Sequence, residues 1–232
     1  STYHNKFTSA EALVRIRDDE GNLVSPVRFI PIAEQNGMIM RLGNIVFDKV
    51  CAFLAEHNPD DLGIEYIEVN LSVVQCGNEQ LAADYIAIMK KYDIKPRWIN
   101  LEITESASLD AKEILLANMK KLMTFGIRFS LDDFGTGQSN LNYIIDMPVD
   151  IVKFDREMTN AYFENGKARY VMEAAMHMIQ GLDLRIVSEG VETKEQLDMM
   201  NKLGIDYIQG FYYSKPLPQD KYLAFIKEKN FS

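Results

Sequence analysis

The sequence predicts an α/β barrel of parallel strands with helices outside, and three observations predict it. The chain has 232 residues, a length that one such barrel fills as a single domain. Short β-branched runs alternate with longer segments whose apolar residues recur at three- and four-residue spacing, a β-α-β-α rhythm that favours a parallel sheet. No low-complexity tract, charge block or Pro/Gly/Ser linker interrupts that rhythm, so residues 1–232 are expected to form one domain.

Strands are predicted at residues 10–16, 66–72, 99–104, 128–132, 151–154, 185–188 and 207–211, each an apolar, β-branched run of strand length. Amphipathic helices are predicted at 38–57, 80–92, 111–125, 167–181, 194–203 and 219–229. Gly126, Gly181 and Gly204 each close a helical run just before a strand, where a left-handed cap is easiest for glycine. A closed barrel has eight strands, one more than these runs supply. The shortfall lies at the start, where His4-Asn5-Lys6 resembles a turn leading into the first visible strand. The chain is therefore expected to begin at a hairpin whose first strand is missing, with the natural protein continuing upstream of Ser1.

Composition narrows the function classes. Lys plus Arg is 25 against 34 for Asp plus Glu, and the net charge of −9 argues against holding polymeric nucleic acid by counterion release. The longest apolar runs fall well short of the roughly 20 residues that a membrane-spanning helix needs. Ser1 to Ala10 carries no basic stretch followed by an apolar one, so it does not read as a secretory signal. Cys51 and Cys76 have no metal-ligand spacing and are expected as free thiols in a reducing cytoplasm. This domain is thus expected to be cytoplasmic, and a membrane anchor would have to come from an upstream segment.

The chemistry is carried by polar residues on the apolar strands: Glu11, Asn70, Glu102, Asp132 with Asp133, Lys153, Glu189 and Gln209. From Asn70 onward they recur about once per strand-helix repeat, and most lie toward carboxyl ends, where barrel active sites form. Glu11 stands early in its predicted strand and does not follow that rule. A single acidic residue at a strand end is more often a helix cap or a solvated charge. The whole set is different, because caps have no reason to recur on the strands themselves. Five carboxylates gathered together would repel by roughly 3 kcal/mol per pair at ~5 Å and an effective dielectric of ~20. Lys153 offsets part of this charge, and hard divalent cations with oxygen ligands, Mg²⁺ or Mn²⁺, would offset the rest. Adjacent Asp132 and Asp133 suit a shared two-ion site. Gly135-Thr136-Gly137 begins like a dinucleotide fingerprint, but Asn140 takes the place of its third glycine. His4, His57 and His177 are scattered and read as packing or surface residues.

Glu11-Ala12-Leu13, Val69-Asn70-Leu71-Ser72, Leu101-Glu102-Ile103-Thr104-Glu105, Asp132-Asp133-Phe134-Gly135-Thr136-Gly137, Lys153-Phe154-Asp155, Glu189-Gly190-Val191-Glu192 and Gln209-Gly210-Phe211 stand in the order seen in EAL-domain cyclic di-GMP phosphodiesterases, and the chain resembles that family from about Ser9 to Pro218. The resemblance implies a TIM-like (β/α) barrel of the EAL type, whose first, antiparallel strand would be the one missing here. It also implies metal-dependent hydrolysis of cyclic di-GMP to linear pGpG.

On matching positions it assigns Glu11, Asn70, Glu102 and Asp132 to a first metal, with Asp132 and Asp133 serving a second, the pair of ions being Mg²⁺ or Mn²⁺. Lys153 would orient or deprotonate the attacking water, with Glu11 also catalytic. Glu189 would bind metal or act as base. Gln209 would hold the substrate or a metal-bound water, Arg15 would contact a substrate phosphate, and Leu13 and Asp155 would join the substrate site. Glu105 would brace the loop at 133–138. The implied partners are cyclic di-GMP, a second copy of the chain in a homodimer, and an upstream sensory or regulatory domain. Ile16, the Gln138-Ser139-Asn140 run and Phe154 depart from common family residues, and none is an implied ligand. Two other functions compete. One is a receptor that binds the cyclic dinucleotide uncut. The other is a barrel enzyme using Lys153 and Mg²⁺ for enolate chemistry.

Overall fold

The chain divides into two compact units, one spanning Ser9–Arg128 and the other combining Ser1–Thr8 with the chain from Phe129 onward. The computed structural model describes residues 1–104, 112–135 and 141–231. Among these residues no helix is long and apolar enough to cross a membrane.

The first unit is built on β1 (Ser9–Ala12), β4 (Tyr66–Leu71) and β5 (Ile99–Thr104), which pair in parallel with Glu11 beside Glu68 and Asn70 beside Glu102. Between β1 and β4 run a short hairpin, β2 (Ile16–Arg17) with β3 (Leu23–Val24), then α1 (Pro26–Gln35), α2 (Met38–Glu56) and α3 (Pro59–Leu62). After β4 come α4 (Val73–Cys76), α5 (Leu81–Tyr92) and a 3-10 turn at Pro96–Trp98, and α6 (Lys112–Phe125) follows β5. Phe47 of α2 stacks on Tyr85 of α5 at 3.8 Å between ring centroids, and both are buried. Gln75 donates to the Tyr85 hydroxyl, and Gly43 leaves the room that Gln75 occupies, since any Cβ there would overlap the Gln75 amide. Cys51 and Cys76 are free and buried, and burial pushes both thiols up to about 12, well above the range of a reactive thiolate.

One predicted strand, residues 10–16, is two elements. The backbone leaves the sheet after Ala12, Arg15 turns its guanidinium back to the carbonyl of Val14, and Ile16 starts the hairpin. Asp18 closes that hairpin by accepting from the backbone of Glu20 and Asn22, and those hydrogen bonds hold its carboxyl below the usual range.

The second unit carries β6 (Arg128–Phe134), β7 (Ile151–Phe154), β8 (Arg185–Ser188) and β9 (Tyr207–Ile208), again parallel. Its helices are α7 (Leu141–Asp146), α8 (Arg156–Glu164), α9 (Gly166–Gly181), α10 (Lys194–Leu203) and α11 (Gln219–Phe231). Gly126 and Gly204 take positive φ as expected, but Gly181 is the last helical residue and the left-handed position falls to Asp183, φ 61°. A short polar side chain tolerates that conformation. β9 stops at Ile208, short of the predicted 211, because the backbone then turns: Val191 N–H donates to Gln209 O and Tyr212 N–H to Val191 O.

The turn predicted at His4-Asn5-Lys6 is present, with Asn5 at φ 50°. Thr2 N–H and hydroxyl donate to the carbonyls of Asp206 and Ile205, just before β9. Asn230 accepts from Phe7 N–H at 3.1 Å and donates to Phe7 O at 2.8 Å, while Phe7 packs on Tyr213 and Phe225. Both Phe7 backbone groups lose their partner in Asn230→Ala, which should cost about 1–3 kcal/mol of unfolding free energy. Urea denaturation should show a lower midpoint with an unchanged slope.

Candidate active site

In the first unit the site residues lie toward the carboxyl ends of their strands. β1 ends at Ala12, so Glu11 is its third residue of four and follows the barrel rule after all. Its misfit in the sequence came from expecting a longer strand. Asn70 Nδ2 donates to Glu11 Oε1 at 2.6 Å, which joins two sequence-predicted residues across the β1–β4 pair. Glu102, adjacent to Asn70 in register, is almost wholly buried. Leu13 and Arg15 follow β1 on the exposed segment that leads to the hairpin. Glu68 and Asn100, two residues upstream of Asn70 and Glu102, share their sheet face and are also buried. Sequence reasoning passed over both, although polar residues at period two on an apolar strand were the available signal.

In the second unit the strand end at Asp132 and Asp133 is irregular. Successive strand residues normally face opposite ways. Here the β6–β7 register shifts between Leu131 and Phe134, and Asp133 adopts φ 57°. That irregularity breaks the regular alternation of the strand at Asp132 and Asp133. Gly135, φ 102°, continues the turn with Met158 so close that a Cβ would sit 2.5 Å from its sulfur.

Lys153, central in β7, is 1% exposed, and its Nζ lies 2.7 Å from Glu189 Oε1 and 3.7 Å from Asp132 Oδ1. A buried ammonium needs such partners, since unpaired it would cost several kcal/mol. Glu189 stands one residue past β8, with its N–H donating to Phe154 O at 3.0 Å. Gln209 stands one residue past β9, tied by its N–H to Ser188 O. Asp155 caps α8 by accepting from Glu157 N–H. Glu105 and Gln138 lie outside the described residues.

Among the described residues no three His, Cys, Asp or Glu side chains are already grouped so as to hold a metal ion. The donor chemistry of each unit nevertheless fits hard divalent cations: Glu11, Asn70 and Glu102 in the first and Asp132 and Asp133 in the second offer only oxygen to a metal, and the Asn70 amide spends its N–H on Glu11, leaving its oxygen as the donor.

The sequence model of the EAL domain family matches residues 1–216. The chain is 32% identical over 231 residues to the signaling protein YkoW of Bacillus subtilis (strain 168), covering 99% of this chain and 28% of that protein. It is 31% identical over 216 residues to the bifunctional diguanylate cyclase/cyclic di-GMP phosphodiesterase MucR of Pseudomonas aeruginosa, covering 93% of this chain and 32% of MucR. The chain therefore spans less than a third of the length of these relatives. Among solved structures, the PaMucR phosphodiesterase in its c-di-GMP complex superposes with a TM-score of 0.84 at 30% identity, covering 91% of this chain and 86% of that one. The α/β architecture is thus that of the solved phosphodiesterase.

Proposed function

This chain belongs to the EAL domain family, and on that premise we propose that residues 1–232 act as one domain that hydrolyses cyclic di-GMP to linear pGpG with two divalent ions, Mg²⁺ or Mn²⁺. The observation that carries this reading is the buried Lys153 ammonium held between Glu189 and Asp132, a charge arrangement that is costly to bury. MucR, which is named a cyclic di-GMP phosphodiesterase, supports the choice of substrate.

Glu11, Asn70, Glu102, Asp132 and Asp133 would hold the ions. Bound divalent ions would supply Lewis acidity, drawing charge from the phosphodiester and making water nucleophilic near neutral pH. Lys153 as the ammonium orients the attacking water, or as the neutral amine takes its proton, with Glu189 holding its side chain in place and available as base. Gln209, Arg15, Leu13 and Asp155 receive the substrate, Arg15 through a phosphate oxygen. Homodimerisation, an upstream regulatory domain and a cytoplasmic setting belong to the same proposal.

Incubation with cyclic di-GMP and Mn²⁺, followed by chromatography, should yield pGpG. A chelator should stop the reaction. Ca²⁺ should inhibit, because its longer, looser coordination suits poorly a site made for short octahedral contacts. Cyclic di-GMP bound but left uncut with both Mg²⁺ and Mn²⁺ would mean a receptor rather than an enzyme.

A further inference from the structure

We propose that Arg156 is a positioning residue that holds the turn Glu189-Gly190-Val191-Glu192, and through it the Glu189 carboxylate, against Lys153. The turn lies directly on the arginine. Gly190 has φ 73°, and a Cβ there would overlap Arg156 Cγ, reach 2.8 Å from its Cβ and 3.2 Å from its Cα. Only glycine permits both that backbone conformation and that approach. Beyond the stem, the guanidinium reaches the far end of the turn, with Arg156 Nη2 2.9 Å from Glu192 Oε1.

The turn is also held from two other directions. Glu189 N–H donates to Phe154 O, two residues before Arg156, and Val191 exchanges backbone hydrogen bonds with Gln209 and Tyr212. Arg156 thus closes one side of a clamp whose other side carries Gln209. Its product is the 2.7 Å contact between Glu189 and Lys153.

The ion pair itself is exposed, with side-chain accessibilities of 58% and 41%, and pairs of that kind add little to stability. Its value lies in aim rather than in folding. A carboxylate displaced by ~1 Å from its working position can cost a reaction ~10²-fold. Arg156 touches neither Lys153 nor the reacting atoms in this account, so its loss should lower kcat while leaving KM nearly alone.

The inference rests on the proposed phosphodiesterase reading, and two measurements on the full chain separate them. Amide hydrogen exchange by NMR on the ligand-free protein reports the turn without any substrate. In Arg156→Ala the amides of Glu189 and Val191 should exchange ~10-fold faster or more, with β7 and β8 protected as before. Turnover of cyclic di-GMP with Mn²⁺ should show kcat lowered by ~10- to 100-fold and KM changed by less than ~3-fold. Arg156→Lys, which keeps a charge but not the reach of the guanidinium fork, should fall between. The exchanged pair Arg156→Glu with Glu192→Arg should regain part of both the protection and the rate. Unchanged exchange in Arg156→Ala overturns the proposal whatever the rate does, and a rise in KM at constant kcat replaces it with a substrate contact. Faster exchange in Arg156→Ala together with a wild-type chain that cuts nothing would sink the phosphodiesterase reading and leave the clamp standing.

Discussion

Replacing Lys153 by Met is expected to lower turnover of cyclic di-GMP by ~10³-fold or more, about 4 kcal/mol of transition-state stabilisation. Methionine keeps most of the volume of a side chain that is 1% exposed, so the change removes charge and hydrogen bonding more than packing. What remains is a pair of carboxylates, Glu189 and Asp132, whose shared cation has gone. The group proposed to orient the water or take its proton is then missing, and Glu189 loses the cation that holds it. The measurement is kcat at saturating Mn²⁺, with circular dichroism confirming the fold. A rate within ~3-fold of wild type would remove Lys153 from the mechanism.

Glu11→Ala should cause a loss of similar size, ~10³-fold in turnover, and Glu11→Gln should be nearly as inactive. The comparison isolates charge from geometry. Glutamine can still accept from Asn70 Nδ2, as Glu11 does at 2.6 Å, but it brings no negative charge to a metal. Glu11 is only partly buried and its removal relieves carboxylate repulsion, so the metal-free protein should keep its stability to within about 1 kcal/mol. Isothermal titration with Mn²⁺ should show weakened metal binding in both variants. Undiminished Mn²⁺ affinity together with a normal rate would take Glu11 out of the ligand set.

Much of this was legible from residues alone. The strands Ile99–Thr104, Ile151–Phe154 and Arg185–Ser188 and the helix Lys194–Leu203 have the bounds read from the sequence. Their ends are marked locally: Thr193 and Gln196 form a capping box, and Gly204 supplies the left-handed cap. Motif order likewise identified the family, because each motif is a short run at one strand end. Five helices escaped the reading, α1, α3, α4, α7 and α8, although Pro26 after Ser25 and the capping Asp155 were there to be seen for two of them.

The sequence by itself therefore determined the types of the elements it marked and many of their limits, and it named the candidate site residues, since apolar period, caps and glycine positions act over a few neighbours. Tertiary structure alone decided which of those residues meet. Glu11 finds Asn70 from 59 positions away, Lys153 meets both Glu189 and Asp132, and Phe7 is latched by Asn230. It also decided that the strand predicted at 10–16 breaks after Ala12 and that Asp132 and Asp133 stand at a register shift. Each of these depends on the register of a pairing partner or on a backbone turn set by one, and a register has no signature in either segment read alone.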